Sequence, residues 1–489
     1  MTRADTTSIQ YNGESLSSAL SFDSPDATGP HTADVRDLDH HSPVDETTTS
    51  GRDNEPETRT SPDRSPARPD HEAGLVPVPR PGSPELLAFV AEVAADAARR
   101  RDAGGAEPPF AAVAEPPFAA VAEPPFAAVA AAKRLRLGAV RVPADLGGGG
   151  WTASELFELL IDLGEADPDV PHILRIHFGF VEELFRLPRT EAKSAWIPHV
   201  LAGKLFGGAL TELGDRAAGS WQYDSTLVPR PEGGYTLNGR KFYSTGTLYC
   251  DYVRVSAEVP ERGLLTAVVP TDRAGIEHLD DWDGIGQRHT GSGTTVLTDV
   301  LVGEHETLPW RGADSKVPPR QSFPQLYLHA IAAGILRAAA ADAAALVRGR
   351  RRTFVFATAE QPREDPQLLE VIGTISATAF AAEATVRIAA QAQDRAFDAA
   401  RATGIDAALE HHASVLAAQV KVALEEPALR AAARIFEVGG ASATRASAHH
   451  DRHWRNLRTL FSHNPTVYKA RALGDLLVND TQLPEAGHF

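Results

Sequence analysis

From Gln325 to Val438 the chain is rich in Ala, Leu and Arg, and its apolar residues recur with a period near 3.6. A period held over that length predicts several long amphipathic helices, which bury their apolar stripes by packing antiparallel. The preceding stretch has another texture. From Phe206 to Val302 short β-rich runs alternate with turn signals, and in YTLNGRKFY the Asn238-Gly239 pair predicts a type I′ hairpin. Nearer the N-terminus, Ser83-Pro84 opens a helix carrying Leu86, Phe89, Val90 and Val93 at helical spacing. Thr152-Ala-Ser-Glu155 reads as a capping box for an apolar helix over Leu156–Leu163, and a further helix is predicted from about Pro171 to Phe185. The order is helices, then a small β domain, then a helical bundle, an α+β chain that is mostly α. Boundaries fall at 81–204, 205–310 and 311–489.

The N-terminal flank is of a different kind. Residues 1–80 are rich in Ser, Thr, Asp, Pro and Arg, with 15 acidic side chains against 7 arginines. Such a segment buries too little apolar surface to offset its ordering entropy, so a disordered acidic tail is expected. It also carries about half of the formal net charge of −17, which disfavours nucleic acid as a partner. The octapeptide AEPPFAAV then occurs three times in succession over 106–129. Each copy holds Pro-Pro, which interrupts helix, so an expanded connection that bulges to the surface is expected rather than a solenoid. The single cysteine, Cys250, excludes an internal disulfide and fits a cytoplasmic protein. No apolar run is read as long enough to span a membrane, and no secretory signal core is seen.

Three segments carry chemistry: TELGDRAAGS (211–220), KFYSTG (241–246) and HHDRHWRN (449–456). With VPADLGGGG (142–150), GIGQRHTGSGTTVLTDV (284–300) and FEVGGASAT (436–444), their order over some 300 residues resembles the acyl-CoA dehydrogenase fold superfamily. Within it the chain looks most like the reduced-flavin-dependent monooxygenases typified by dibenzothiophene monooxygenase. The resemblance implies an N-terminal helical domain, a middle β-barrel-like domain and a C-terminal four-helix bundle, assembled as a homotetramer. It also implies that Thr211, Ser220 and Thr245 border the flavin, reduced FMN or FAD. Arg351 and Phe354, as an Arg-x-x-Phe on the first long bundle helix, would hold the flavin phosphates of a neighbouring subunit.

A dehydrogenase of this fold needs a carboxylate to take the α-proton of a thioester. The C-terminal segment shows no Tyr-Glu-Gly, and its one acid, Asp451, stands among His and Arg where ion pairing makes it weakly basic. His450 and His453, three apart, match the active-site histidines of the oxygenase branch, and His172 matches another. Imidazole donates a hydrogen bond and exchanges a proton near neutrality, as oxygen activation through a flavin C4a-(hydro)peroxide requires. Two positions depart from the family pattern: Ile176 replaces a tyrosine and Gly208 an asparagine, and both changes enlarge or grease the pocket. The resemblance thus implies a two-component enzyme, fed by a separate NAD(P)H:flavin reductase, that oxygenates a hydrophobic small molecule at S, N or aromatic C. The alternative is an acyl-CoA dehydrogenase or oxidase with a displaced base. No metal site is expected. Arg455 and Asn456 are read as fixing the C-terminal segment over the pocket, Gln287, Arg288 and His289 as facing substrate or flavin, and His177 and His329 as structural.

Overall fold

The computed structural model describes residues 76–103, 123–215, 219, 221–310, 320–485 and 489. Most of the acidic tail, the first two octapeptide copies and Ser220 therefore lie outside the described residues.

Among the described residues six α-helices precede the sheet: α1 (Pro84–Ala103), α2 (Phe126–Arg134), α3 (Ala153–Ala166), α4 (Asp169–Arg186) and the short α5 (Glu191–Ser194) and α6 (Ile197–Leu201). Local chemistry accounts for several ends. The Thr152 side chain accepts from the Glu155 N–H while Glu155 reaches back to the Thr152 N–H, the reciprocal box that starts α3. Helix α2 begins directly after Pro124-Pro125, because proline lacks the N–H that a helix interior needs and suits a helix start. Ala128 and Val129 of the third octapeptide copy are thus core residues of α2, and that copy does not bulge outward. Val76–Arg80, assigned to the tail by composition, lies on the folded part. Trp151 Nε1 donates to the Pro79 carbonyl and Arg136 to that of Val76.

The middle of the chain forms one eight-stranded sheet from β1 (Phe206–Ala209), β2 (Thr226–Pro229), β3 (Tyr235–Lys241), β4 (Tyr252–Val259), β5 (Gly263–Pro270), β6 (Ile276–His278), β7 (Thr295–Val302) and β8 (Thr307–Pro309). Its order is β6-β7-β3-β2-β4-β5-β8, with β1 parallel to β4. Asn238-Gly239 is not a hairpin turn. The pair lies inside β3 at a bulge against β7. Asn238 exchanges side-chain hydrogen bonds with Asp299, and a Cβ on Gly239 would collide with Ser225. The turn that joins β2 to β3 is instead Arg230–Gly234, where Gly233 and Gly234 supply positive φ.

Among the described residues five α-helices follow: α7 (Ser322–Gly349), α8 (Pro366–Thr403), α9 (Ala407–Gly439), α10 (Arg452–Phe461) and α11 (Thr466–Asn479). Helix α7 is the axis of the core. It is buried almost continuously from Phe323 to Leu336 and packs on α3, α8 and α9. Gly164 and Gly334 let α3 and α7 cross with backbones touching, since a Cβ on Gly334 would strike the Ile161 carbonyl. Against the sequence reading, α7 and α8 are long and apolar enough by composition to cross a membrane, with mean hydropathies of 1.7 and 1.3. For α7 the reason is its central place, because a helix packed on all sides is apolar all round.

Candidate active site

The elements meet around Gln287. This residue is fully buried and held at φ +52°, a left-handed conformation that costs a non-glycine residue free energy unless its surroundings impose it. Its side-chain oxygen accepts from His172 Nδ1 of α4 at 2.9 Å. Its backbone N–H donates to Asn456 Oδ1 of α10 at 2.8 Å. Its backbone oxygen accepts from Trp282 Nε1 and from the Thr290 hydroxyl, each at 2.9 Å. From Thr290 a line of hydroxyls runs through Ser292 at 2.7 Å to Thr245 at 2.9 Å. The Thr245 carbonyl in turn accepts from Gly208 of β1. One residue thus couples α4, α10 and the strand edge bearing Thr245.

Gly208 and Ile176, the two departures from the family pattern, adjoin each other. A Cβ on Gly208 would lie 2.8 Å from Ile176 Cγ2, so the apolar residue on α4 occupies space that a larger residue on β1 would need. Thr211 is exposed and linked to this region only through its backbone, whose carbonyl accepts from Phe242 N–H. Glu212 and Lys241 hold that link together. Lys241 Nζ, wholly buried, lies 2.7 Å from Glu212 Oε1 and 4.1 Å from the Tyr223 ring centroid.

The two C-terminal histidines are not equivalent. Helix α10 starts at Arg452, so His453 is helical and buried whereas His450 lies in the turn before it. His453 Nε2 donates to Asp342 Oδ2 of α7 at 2.8 Å, and Arg452 pairs with the same carboxylate at 2.5 Å. Burial, and to a lesser degree Arg452, outweighs Asp342 and pushes the His453 imidazole down to about 4. Burial and the Arg175 charge push His172 down to about 3, so both rings are neutral near pH 7. His450 is only half-buried and its pKa is lowered by burial, yet its Nδ1 is sealed from solvent without a hydrogen-bond partner. Asp451 pairs with Arg455, as its surroundings in the sequence implied.

The Arg-x-x-Phe pair does not lie on a bundle helix. Helix α7 ends at Gly349, and Arg350 donates to the Val438 carbonyl, which turns the chain away. Arg351 and Phe354 fall in the exposed connection to α8, with Phe354, Val355 and Phe356 at least 76 % exposed. His177 is structural as expected, bridging the Gly138 carbonyl and the Phe206 N–H.

Two carboxyls near the site escaped the sequence reading. Asp342 is a lone acid in an alanine-rich helix, and that isolation is the signal that marks it. Burial raises its pKa, but the hydrogen bond from His453 and the Arg452 charge outweigh this and hold it ionised below the ordinary carboxylate range. So stabilised, it is a poor proton-abstracting base. Asp169, in the first turn of α4, reads in sequence as an ordinary helix-start acid. It is buried beside Asp167 and the backbone of His289, with Oδ1 unpartnered, and burial together with Asp167 pushes its pKa up to about 8. Folding then favours its protonated form between its ordinary value of 3.8 and about 8, so stability falls as pH rises through that window and levels off above it. In Asp169→Asn this dependence is absent. The variant's advantage in apparent Tm should grow from pH 5 to 8, to on the order of 5 °C, and then stop growing. An advantage that stays constant with pH in a thermal-shift series would show that Asp169 ionises freely.

The junction fits a flat ligand bearing carbonyl and N–H groups. Gln287 Nε2 and the Ser244 hydroxyl are buried with no hydrogen-bond partner, an arrangement that is costly unless something completes it. Both belong to the segments that meet at the Thr245–Ser292 hydroxyls, where Ser244 N–H donates to the Gly293 carbonyl and Gly246 N–H to that of Thr290.

Comparison with known proteins supplies the chemistry. Residues 326–467 match the acyl-CoA dehydrogenase C-terminal domain family. The chain is 30% identical over 365 residues to a dibenzothiophene monooxygenase of Mycolicibacterium goodii, covering 70% of this chain and 84% of that one. It is 29% identical over 347 residues to a probable FMNH2-dependent monooxygenase, SfnC, of Pseudomonas putida, covering 69% and 84%. Among solved structures, FMN-bound TdsC from Paenibacillus sp. A11-2 superposes with a TM-score of 0.71 at 25% identity, covering 83% of this chain and 100% of that one. The methanesulfinate monooxygenase MsuC of Pseudomonas fluorescens gives 0.70 at 26%, with the same coverage.

Proposed function

The chain belongs to the reduced-flavin monooxygenase branch of the acyl-CoA dehydrogenase superfamily, and from that premise we propose that it oxygenates a small hydrophobic molecule at the Gln287 junction. It is an oxidoreductase that uses reduced FMN. When bound, reduced FMN supplies the electrons that activate O₂. The observation that carries the assignment of the site is the pair of buried unpartnered donors, Gln287 Nε2 and Ser244 Oγ, on segments that meet at the Thr245–Ser292 hydroxyls.

The side chains then divide the work. Thr245, Ser244 and Gln287 offer hydrogen bonds to the flavin edge, and Thr211 borders it from the neighbouring segment. Because His172 Nδ1–H is committed to Gln287, its Nε2 carries a lone pair and can accept a hydrogen bond. His453 acts as a positioning residue, clamped to Asp342 so that the preceding turn is held in place. His450, whose Nδ1 is uncommitted, is the imidazole left to exchange a proton with the reacting oxygen or substrate. Gly208 and Ile176 present an apolar wall that excludes water and favours a greasy substrate.

We further propose a cytoplasmic homotetramer in which the exposed Arg351–Phe354 connection reaches the flavin phosphate of a neighbouring subunit. A guanidinium beside an exposed Phe-Val-Phe run suits an anion at a covered interface. A separate NAD(P)H:flavin reductase supplies the reduced cofactor. The test is oxygen uptake with product analysis on thioethers, indoles and amines. Product should form only when reductase, NAD(P)H and FMN are all present. Tight retention of oxidised FAD that an acyl-CoA bleaches would overturn the reading.

A further inference from the structure

A cleft of about 540 Å³ opens between α1 and α7 and ends at α10. Val90, Ala94, Ile335 and Ala338 form its apolar walls, and Arg101 and Arg452 stand at one end beside His453 and Asn456. Asn456 is the residue that receives the Gln287 N–H, so the cleft leads to the site described above.

The charges in the cleft are matched with one exception. At the far end Asp162 and Glu165 both bind Arg337, at 2.7 and 3.2 Å. Arg452 is taken by Asp342, and Arg100 by Asp96 and Asp167. Arg101 has no ion pair or hydrogen bond among the described residues. Burial and then repulsion from Arg452 lower its pKa, against a smaller opposing pull from Asp167 and Asp342, neither of which pairs with it. A half-buried guanidinium facing a second cation is stabilised by any anion that enters, and the walls beside it accept only an apolar body.

We propose that this cleft binds an amphipathic substrate, an apolar or aromatic body ending in a single carboxylate-like anion, with Arg101 as the anchor. The proposal rests on the monooxygenase reading and names the substrate class for it. Anchoring the anion at Arg101 sets it at the α10 end of the cleft, the end that adjoins the Gln287 junction through Asn456, and leaves the apolar body along Val90, Ala94, Ile335 and Ala338. Asp162 and Glu165, though paired, make the opposite end unfavourable to the anion and so fix the direction of entry.

The test uses two probes of the same shape, 4-(methylthio)benzoate and its neutral amide, in two measurements. Equilibrium dialysis against the flavin-free protein reads binding, and product formation with reductase, NAD(P)H and FMN reads turnover. The benzoate should bind about tenfold or more tightly than the amide, the size expected of a charge-assisted hydrogen bond. Arg101→Gln should bring the ratio close to one, and Arg101→Lys should retain part of it. Arg99→Gln, at an exposed position outside the cleft, should leave the ratio as in the parent. A parent ratio near one, or a preference that survives Arg101→Gln, overturns the proposal. A benzoate preference that depends on Arg101, without oxygenation of either probe, upholds the anion site and sinks the monooxygenase reading instead.

Discussion

Replacing His450 with alanine is expected to lower coupled oxygenation by on the order of 10²–10³-fold, the usual worth of one positioned proton-transfer group. FMN affinity should change little. The expectation follows from the asymmetry of the two histidines: His453 is spoken for by Asp342, whereas His450 Nδ1 is sealed from water and uncommitted. Asp342→Asn separates the two roles. It cannot accept from both Arg452 and His453 as a charge, so α10 loosens and the His450 turn shifts with it. Turnover should then fall less than in His450→Ala, and addition of imidazole should restore activity to the alanine variant alone. Equal losses in both variants, with no rescue, would mean that the two side chains act only by holding the fold. The measurement is product formed per NADPH consumed, because a failed oxygenation releases the electrons as hydrogen peroxide.

The second large effect falls on stability. Lys241→Met should cost about 3 kcal/mol, because it strands the Glu212 carboxylate that Lys241 neutralises from inside the sheet. Glu212 keeps bonds from Ser225 and from the Asp224 N–H, which limits the loss. Adding Glu212→Gln should recover more than half, since a neutral amide meets the same donors without an uncompensated charge. The Thr211–Phe242 bridge sits between the two ends of this pair, so FMN binding should weaken in the single variant and recover in the double. Urea midpoints and FMN titrations read both effects. A double variant no more stable than Lys241→Met would assign the loss to packing against Tyr223 rather than to charge.

What could be read locally was read well where the cause is local. The Thr152–Glu155 box depends on four consecutive residues and behaves the same in any context. The same holds for α4, whose predicted span of Pro171 to Phe185 differs from the observed one by its first two residues and its last. Asn238-Gly239 misled because its usual turn preference is weaker than the cross-strand bonds Asn238 makes to Asp299, sixty-one residues away. The placement of Arg351-x-x-Phe354 on the first long helix misled in a related way. The alanine-rich run of α7 gives way to RRRTFVF, and Arg350 is drawn to a carbonyl at the end of α9, so the helix stops before the motif.

The site was legible as a set of residue types and not as an arrangement. Thr245, His172 and Asn456 were singled out separately, and nothing in the chain says that Gln287 joins them. Nor does spacing reveal that one histidine of a pair three apart is paired with an acid on α7 and the other is not. The arginine at the cleft shows the same limit. In sequence Arg101 is one of three consecutive arginines at a helix end, and only the fold leaves it as the one without a partner.

Helix propensities, capping residues, the helix–sheet–helix order and the absence of a catalytic Tyr-Glu-Gly are properties of neighbouring residues, so the amino-acid order alone determined them. Which donors are buried unpartnered, which imidazoles are neutral and which cation faces an apolar cleft were decided by the tertiary structure. Those properties depend on desolvation and on charges brought together from positions more than a hundred residues apart, and a linear sequence carries neither distance nor exclusion of water.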